Sequence, residues 1–226
     1  MNGEGAGIGF VDLEQGWITT HDDLNDASPT LIFNDNRHGV GTYIGDHGTA
    51  VLGEVVGLDN GAGIVGIAPS VSYVNMVSHY EADTDTPLHV ADAIIAAISK
   101  MNAGDVLLLE VQRNFLPTET DPADFDAIRL AVGNAIIVVE AAGNGGNDLD
   151  NWTNAAGQDL LDRTNPNFTD SGAIMTGASL SVVPHNRANF SNFGSRIDCY
   201  AWGENIVTTG YANRDTGTLE MIRRQQ

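Results

Sequence analysis

Residues 45–53 read Gly-Asp-His-Gly-Thr-Ala-Val-Leu-Gly, and this stretch decides how the rest of the chain is interpreted. The run that follows, Ala-Val-Leu-Gly-Glu-Val-Val at 50–56, has the composition of a buried helix. The pattern predicts a helix with His47 at its head and Thr49 as a capping residue. A histidine on a rigid element suits proton transfer, although a lone His-Gly pair is also typical of a polar helix cap.

Composition limits the classes of function. The 226 residues are 42% hydrophobic and carry a net charge of −20, with 30 acidic against 10 basic side chains. The chain is long enough for one domain with a full core, and its hydrophobic content argues against disorder. A strongly acidic protein repels a phosphate backbone, so we expect no nucleic-acid partner. Acidic surfaces are compatible with a secreted or salt-exposed protein and with calcium binding.

Three further absences in the sequence restrict localisation. Cys199 is the single cysteine, so no intramolecular disulfide can form. No apolar run approaches 18 residues, so we expect no membrane-spanning segment. The N-terminus has no basic start and no apolar core, so no signal peptide is predicted. Because strand-like sequence begins almost at once, we interpret the chain as a fragment of a longer precursor.

The order of predicted elements indicates the fold class. Strands are predicted over 5–12, 71–77, 106–111 and 135–142, and helices over 88–101 and 121–132. The strand at 106–111 is almost wholly apolar, as expected for a parallel sheet covered on both faces. Strands and helices that alternate at this rhythm predict a doubly wound α/β fold, with a mainly parallel sheet and helices on both sides.

Two polar residues follow predicted strands. Asp12 ends the first strand, in the position where parallel sheets carry functional groups, although a turn or helix cap would also use an aspartate there. Asn144 follows the strand at 135–142 within Gly143-Asn144-Gly145-Gly146. Flanking glycines let such an amide approach a ligand closely, and a glycine turn with Asn in a left-handed conformation is the alternative.

Taken together, these motifs carry a family resemblance. Asp12, then His-Gly-Thr-x-Val-x-Gly from His47, then Ala-Ala-Gly-Asn ending at Asn144 resemble the motifs of the subtilisin-like serine peptidases, in the same order. The resemblance extends over residues 5 to about 210. It implies a three-layer fold, secretion, and peptide substrates. It also implies that Asp12 orients His47, that His47 is the general base, and that Asn144 stabilises the oxyanion.

The sequence departs from the family pattern at two of these places. The family usually follows its aspartate with Ser or Thr and then Gly, whereas Asp12 is followed by Leu13-Glu14-Gln15-Gly16. The family's substrate-binding segment, usually Ser-x-Gly, corresponds here to Leu109-Glu110-Val111-Gln112. The sequence therefore does not define a specificity pocket.

A calcium site is implied by the same resemblance. His21-Asp22-Asp23-Leu24 is similar to a turn whose aspartate ligates calcium in several members, and residues 58–69 are similar to its partner loop. Asp23 and Asn60 are the side chains that the resemblance carries over. Carboxylate, amide and carbonyl oxygens suit calcium. Two well-formed turns without metal remain the alternative.

The end of the chain lacks the expected nucleophile. The family requires Gly-Thr-Ser-x-Ala-x-Pro at the head of a long buried helix. Here Gly217-Thr218 fit, but Leu219 stands at the serine position and no Ala-x-Pro follows. We therefore divide the chain into an incomplete peptidase domain at 1–210, with its C-terminal part missing, and an off-pattern tail at 211–226. A frameshift, a cloning junction or a truncated gene would explain this tail.

Three functions remain open after the sequence analysis. The first is a subtilisin-like peptidase domain with weak or no activity, because leucine cannot attack a carbonyl. The second is a repurposed hydrolase that acts on small esters through another hydroxyl, with Thr218 the adjacent candidate. The third is a non-enzymatic binding protein on the same fold. Because the missing helix would expose apolar core, we also expect a homodimer formed through that surface.

Overall fold

The structure is a computed structural model that describes residues 3–34, 43–61, 63–80, 89–209 and 221–223. In residues 43–46 and 221–223 it describes the backbone alone. In the described part of the chain, no helix has the length and apolar character needed to cross a bilayer.

The elements follow one another in an alternating α/β order. The strands are β1 (Gly9–Glu14), β2 (Thr30–Phe33), β3 (Tyr73–Ser78), β4 (Val106–Leu109), β5 (Gln112–Arg113), β6 (Leu116–Pro117), β7 (Ile137–Ala141), β8 (Ile174–Ser179), β9 (Cys199–Trp202), β10 (Val207–Thr209) and β11 (Met221–Arg223). The helices are α1 (Asp22–Asn25), α2 (Tyr43–Val56), α3 (Val90–Ile98) and α4 (Pro122–Gly133), with single 3₁₀ turns at Thr118–Thr120 and Leu149–Asn151.

Seven strands form one sheet in the order β2-β3-β1-β4-β7-β8-β9. Every neighbouring pair in it is parallel. Two short antiparallel hairpins, β5–β6 and β10–β11, lie outside this sheet. The predicted fold class, a doubly wound α/β sheet with helices on both faces, is confirmed.

Alternation along β1 shows which side chains face which layer. Val11 and Leu13 belong to the core beneath α3 and α4, together with Val77 and Leu109. Phe10 belongs to the opposite core, which includes Leu52 and Val56 of α2 and the buried Trp17. Because side chains of a strand point to alternate faces, Asp12 and Glu14 face the α2 side with Phe10.

The first strand ends later than the sequence predicts. It was predicted over 5–12 with Asp12 at its carboxyl end, whereas β1 runs from Gly9 to Glu14 and every residue in it is buried. Leu13 packs in the core, and Glu14 is 2% exposed on the α2 face. The acidic residue at the carboxyl end of β1 is therefore Glu14, and Asp12 lies inside the strand.

The prediction that Thr49 caps a helix is wrong. Helix α2 begins at Tyr43, so His47 and Thr49 lie within the helix. Thr49 is buried, and its hydroxyl accepts a hydrogen bond from the backbone N–H of Ile18 at 2.8 Å. Residues 43–46, before His47, are thus helical too, and packing against neighbouring elements stabilises α2.

Two glycines allow α2 to approach its neighbours closely. A Cβ at Gly48 would lie within 3.0 Å of the Gly16 carbonyl and the Trp17 ring, and one at Gly53 would meet Thr209. The Thr209 hydroxyl donates to the Thr49 carbonyl at 2.6 Å, and the Thr208 hydroxyl donates to the carbonyl of Ala50. Helix α2 is therefore fixed between the β1 side and β10, which determines where His47 lies.

Residues 221–223, near the C-terminus, pair with β10. Strand β11 pairs antiparallel with β10, with Thr209 opposite Met221 and Val207 opposite Arg223. Thr218 and Leu219, the residues assigned to the nucleophile position, lie outside the described residues. The division into 1–210 and 211–226 remains a prediction.

Candidate active site

The imidazole of His47 contacts Glu14. Its Nδ1 atom is in hydrogen-bond contact with Oε1 of Glu14, whose other carboxylate oxygen accepts the N–H of Gln15 at 2.9 Å. The Glu14 side chain is 2% exposed and that of His47 is 24% exposed. A buried carboxylate on Nδ1 fixes the ring orientation and leaves Nε2 as the nitrogen that can exchange a proton with a substrate or nucleophile.

Asp12 contacts Trp17. Its Oδ2 atom accepts the indole N–H of Trp17 at 2.7 Å, and its Oδ1 atom has no hydrogen-bond partner among the described residues. The prediction that Asp12 orients His47 therefore does not match this geometry, because Glu14 occupies that position. The physical reason is the length of β1. The strand continues two residues beyond Asp12, so Glu14 is the acidic residue at its end.

Burial also makes Asp12 a poor partner for a cation. Asp12 is 0% exposed, and burial raises its pKa well above the usual aspartate value. The negative charge of Glu14 raises this pKa further, and the Trp17 hydrogen bond opposes the change. Asp12 thus holds the indole of Trp17 in place, and Glu14 is the carboxylate in contact with His47.

A cleft opens beside His47. Its volume is about 130 Å³. Helix α2 and the residues after β9 form its walls, and Glu110 at the end of β4 lies at one side. The lining residues are His47, Ala50, Val51, Glu54, Glu110, Trp202, Gly203, Glu204 and Ile206. Three of them are glutamates, so a cationic group would be attracted to this cleft.

Asn144 lies on the loop after β7, where it is exposed. Its backbone N–H donates to the side chain of Gln112 at 2.8 Å. The residues that line the cleft in the described part of the chain do not include Asn144. Strands β1, β4 and β7, which lead to Glu14, Glu110 and Asn144, are neighbours in the sheet.

One buried amide holds the Asn144 loop in shape. Asn192 is 0% exposed; its amide nitrogen donates to the carbonyls of Ala142 at 2.7 Å and Phe115 at 2.6 Å. Its amide oxygen accepts the N–H groups of Gly145 at 3.1 Å and Asn147 at 2.8 Å. These four bonds leave little freedom for the segment that carries Asn144.

The predicted calcium residues are close to each other. Asp23 is 1% exposed, and its carboxylate accepts long hydrogen bonds from the Asn60 amide at 3.4 Å and from the Ile64 N–H at 3.3 Å. A Cβ at Gly63 would collide with this carboxylate, so the loop approaches it closely. No group of three or more His, Cys, Asp or Glu side chains suited to a metal occurs in the described ranges. One carboxylate, one amide and loop carbonyls are ligands that calcium accepts.

Sequence reasoning missed Glu14 and Asn192 as site residues. A signal for Glu14 was present, because Glu14-Gln15-Gly16 has an acid followed by one residue and Gly, as in the family pattern. Asp12 lacks this pattern, since Leu13 and Glu14 follow it. The role of Asn192 depends on four contacts that no local pattern encodes.

The chain belongs to the subtilase family of serine peptidases. Residues 12–225 match the sequence profile of this family, Peptidase S8. This match confirms the family that the motifs at His47 and Asn144 indicate.

Two curated relatives show how much of a subtilase the chain represents. The chain is 28% identical over 228 residues to the major intracellular serine protease of Bacillus subtilis (strain 168), covering 96% of this chain and 64% of that protein. It is 28% identical over 219 residues to subtilisin DY of Bacillus licheniformis, covering 94% and 70%. The chain thus spans about two thirds of the length of these relatives.

Solved structures support the same fold. The protease domain of PatA superposes with a TM-score of 0.71 at 20% identity, over 99% of this chain and 76% of that one. A cold adapted subtilisin-like serine proteinase gives a TM-score of 0.66 at 20% identity, over 98% and 71%. At these identities the likeness establishes the fold.

Proposed function

We propose that this site is the acid and base part of a serine-type endopeptidase active site. The contact between Glu14 and Nδ1 of His47 is the observation that supports it. Glu14 holds the ring and stabilises the imidazolium, while Nε2 of His47 takes the proton of an attacking hydroxyl and returns it to the leaving amine. Asn144 would donate to the oxyanion of a peptide substrate, as the family resemblance implies.

Peptidase activity of the 226-residue chain is proposed to be weak or absent. Leu219 occupies the position where the resemblance expects serine, and leucine has no nucleophilic atom. For subtilisin itself, removal of the serine leaves a rate roughly 10³–10⁴-fold above that of water. Small esters need less activation than amides, so ester hydrolysis is the alternative for this site. Secretion and homodimer formation also remain proposals.

Hydrolysis of a peptide anilide by the purified chain tests this function. We expect slow turnover at most. Because loss of the serine alone costs about as much as loss of the whole triad, Glu14→Gln and His47→Ala should change this residual rate little. A fluorophosphonate probe is expected to leave Thr218 unlabelled. Rapid hydrolysis that is lost in His47→Ala would show that the chain carries a nucleophile acting with His47, and would overturn the proposal of weak or absent activity. Labelling of Thr218 would favour the ester hydrolase.

A further inference from the structure

Two glutamates lie side by side at the carboxyl ends of β1 and β4. The parallel register pairs Leu13 with Leu109, and the backbone N–H of Glu110 donates to the Leu13 carbonyl at 3.1 Å. The next pair in this register is Glu14 with Glu110. Neighbouring strands are about 4.8 Å apart, and paired residues project to the same face of a parallel sheet.

That face is the one on which His47 lies. Leu107 and Leu109 pack in the core beneath α3 and α4, so Leu108 faces α2, and continued alternation places Glu110 on the α2 side as well. Glu110 and His47 line the same cleft. Burial raises the pKa of Glu110, the charge of His47 opposes this change, and the charge of Glu14 adds to it. The two carboxylates therefore repel each other, and a cation between them relieves that repulsion.

We propose that Glu110 is a second carboxylate acting on the catalytic histidine, so that His47 lies between Glu14 and Glu110. The inference rests on the proposed function, since it assigns a positioning residue to the same site. Glu14 fixes Nδ1, and Glu110 stabilises the imidazolium that forms when Nε2 accepts a proton. Glu110 occupies the segment where the family pattern has Ser-x-Gly, so this second charge belongs to the present sequence rather than to the family pattern.

The other charged groups around the cleft are less well placed for this role. Glu54 is two helical turns from His47 along α2. Glu204, across the cleft, accepts hydrogen bonds from the N–H and hydroxyl of Ser181. Asp12 accepts the indole N–H of Trp17 and is not among the described residues that line the cleft. No lysine or arginine is among the residues that line the cleft in the described part of the chain.

A histidine titration followed by NMR tests the proposal in the chain as it exists. The ring signals of His47, assigned by their loss in His47→Ala, are followed between pH 4 and 9 in the unmutated chain and in Glu110→Gln. We expect the titration midpoint of His47 to fall by about one unit in Glu110→Gln, because a nearby negative charge favours the protonated ring. The matched control is Glu54→Gln, which removes a charge from the same cleft and is expected to cause a much smaller change.

The outcomes separate this proposal from the proposed function. A lower midpoint in Glu110→Gln, with little change in Glu54→Gln and an unchanged melting temperature in both, supports Glu110 as a positioning residue. An unchanged midpoint in Glu110→Gln overturns it. Equal shifts in Glu110→Gln and Glu54→Gln also overturn it, since they would reflect the net charge of the cleft. Failure of Glu14→Gln to affect His47 would instead contradict the proposed function.

Discussion

Replacement of Arg196 by methionine is expected to destabilise the domain strongly. The Arg196 side chain is 0% exposed, and its guanidinium binds both carboxylate oxygens of Glu119, at 2.7 and 3.0 Å. It also donates to Asp198 at 2.8 Å. The N–H of Glu119 in turn donates to Glu140 on β7 at 2.9 Å, so this buried network supports the strand that leads to Asn144.

The magnitude follows from the charge that the substitution leaves behind. Arg196→Met removes the cation that pairs with Glu119, and leaves a carboxylate whose side chain is only 1% exposed. Breaking a buried pair by removing one partner costs about 3–5 kcal/mol. At roughly 2–4 °C per kcal/mol for a domain of this size, the melting temperature should fall by about 10 °C. Adding Glu119→Gln should recover part of this loss, because the unpaired charge is then gone.

Arg163 provides a matched control in the same region. It pairs with the other oxygen of Asp198 at 2.5 Å, but its side chain is 40% exposed. Arg163→Met should cost less than about 1 kcal/mol, as exposed ion pairs do. Urea unfolding of the single variants and of the double variant measures all these differences. Equal losses for Arg196→Met and Arg163→Met, or strict additivity with Glu119→Gln, would refute the reasoning.

Three other predictions concern pH, metal and association. Burial, assisted by the charge of Arg113, lowers the pKa of His79 to about 3. The pKa of an unfolded histidine is about 6.5. The stability that comes from keeping His79 neutral is therefore complete above pH 6.5 and is lost towards pH 3, by on the order of 5 kcal/mol. Urea unfolding of His79→Leu should therefore show a flatter pH dependence, and an equally steep one would contradict this. If Asp23 helps to bind calcium, excess chelator should lower the melting temperature, and Asp23→Asn should abolish that response. A melting temperature that excess chelator does not change would contradict calcium binding at Asp23. The edge strand Cys199–Trp202 is exposed throughout, so light scattering with reductant present should show concentration-dependent dimers; a constant monomer mass would rule out this association.

The sheet and its helices could be predicted because they depend on local patterns. The apolar runs of β4 and β7 and the amphipathic α3 and α4 appear where the sequence indicates them, within a few residues at each end. The start of α2 could not be predicted in this way. Residues 43–49 include Gly45, Gly48 and Thr49, which have low helix propensity, and the helix there is stabilised by contacts with Trp17 and Thr209, which are distant in sequence.

The acidic partner of His47 was missed for a related reason. Both Asp12 and Glu14 belong to one strand and face α2, so alternation alone allows either. Position along the strand decides which carboxylate contacts His47. Asp12 accepts the Trp17 indole N–H, and Glu14 lies at the end of the strand, in contact with His47 of α2. Pairing across the sheet likewise placed Glu110 next to Glu14, and register between strands is not encoded in a single strand.

The pairing of His47 with Glu14 can be tested most directly by NMR of the Nδ1 proton of His47. In the unmutated chain at neutral pH we expect a strongly deshielded, slowly exchanging Nδ1–H resonance, because a buried carboxylate accepts this hydrogen bond. Glu14→Gln should abolish or strongly shift the resonance. Asp12→Asn should leave it in place, since its amide oxygen can still accept the Trp17 N–H. Loss of the resonance in Asp12→Asn together with its persistence in Glu14→Gln would contradict the assignment of Glu14 as the acidic partner of His47.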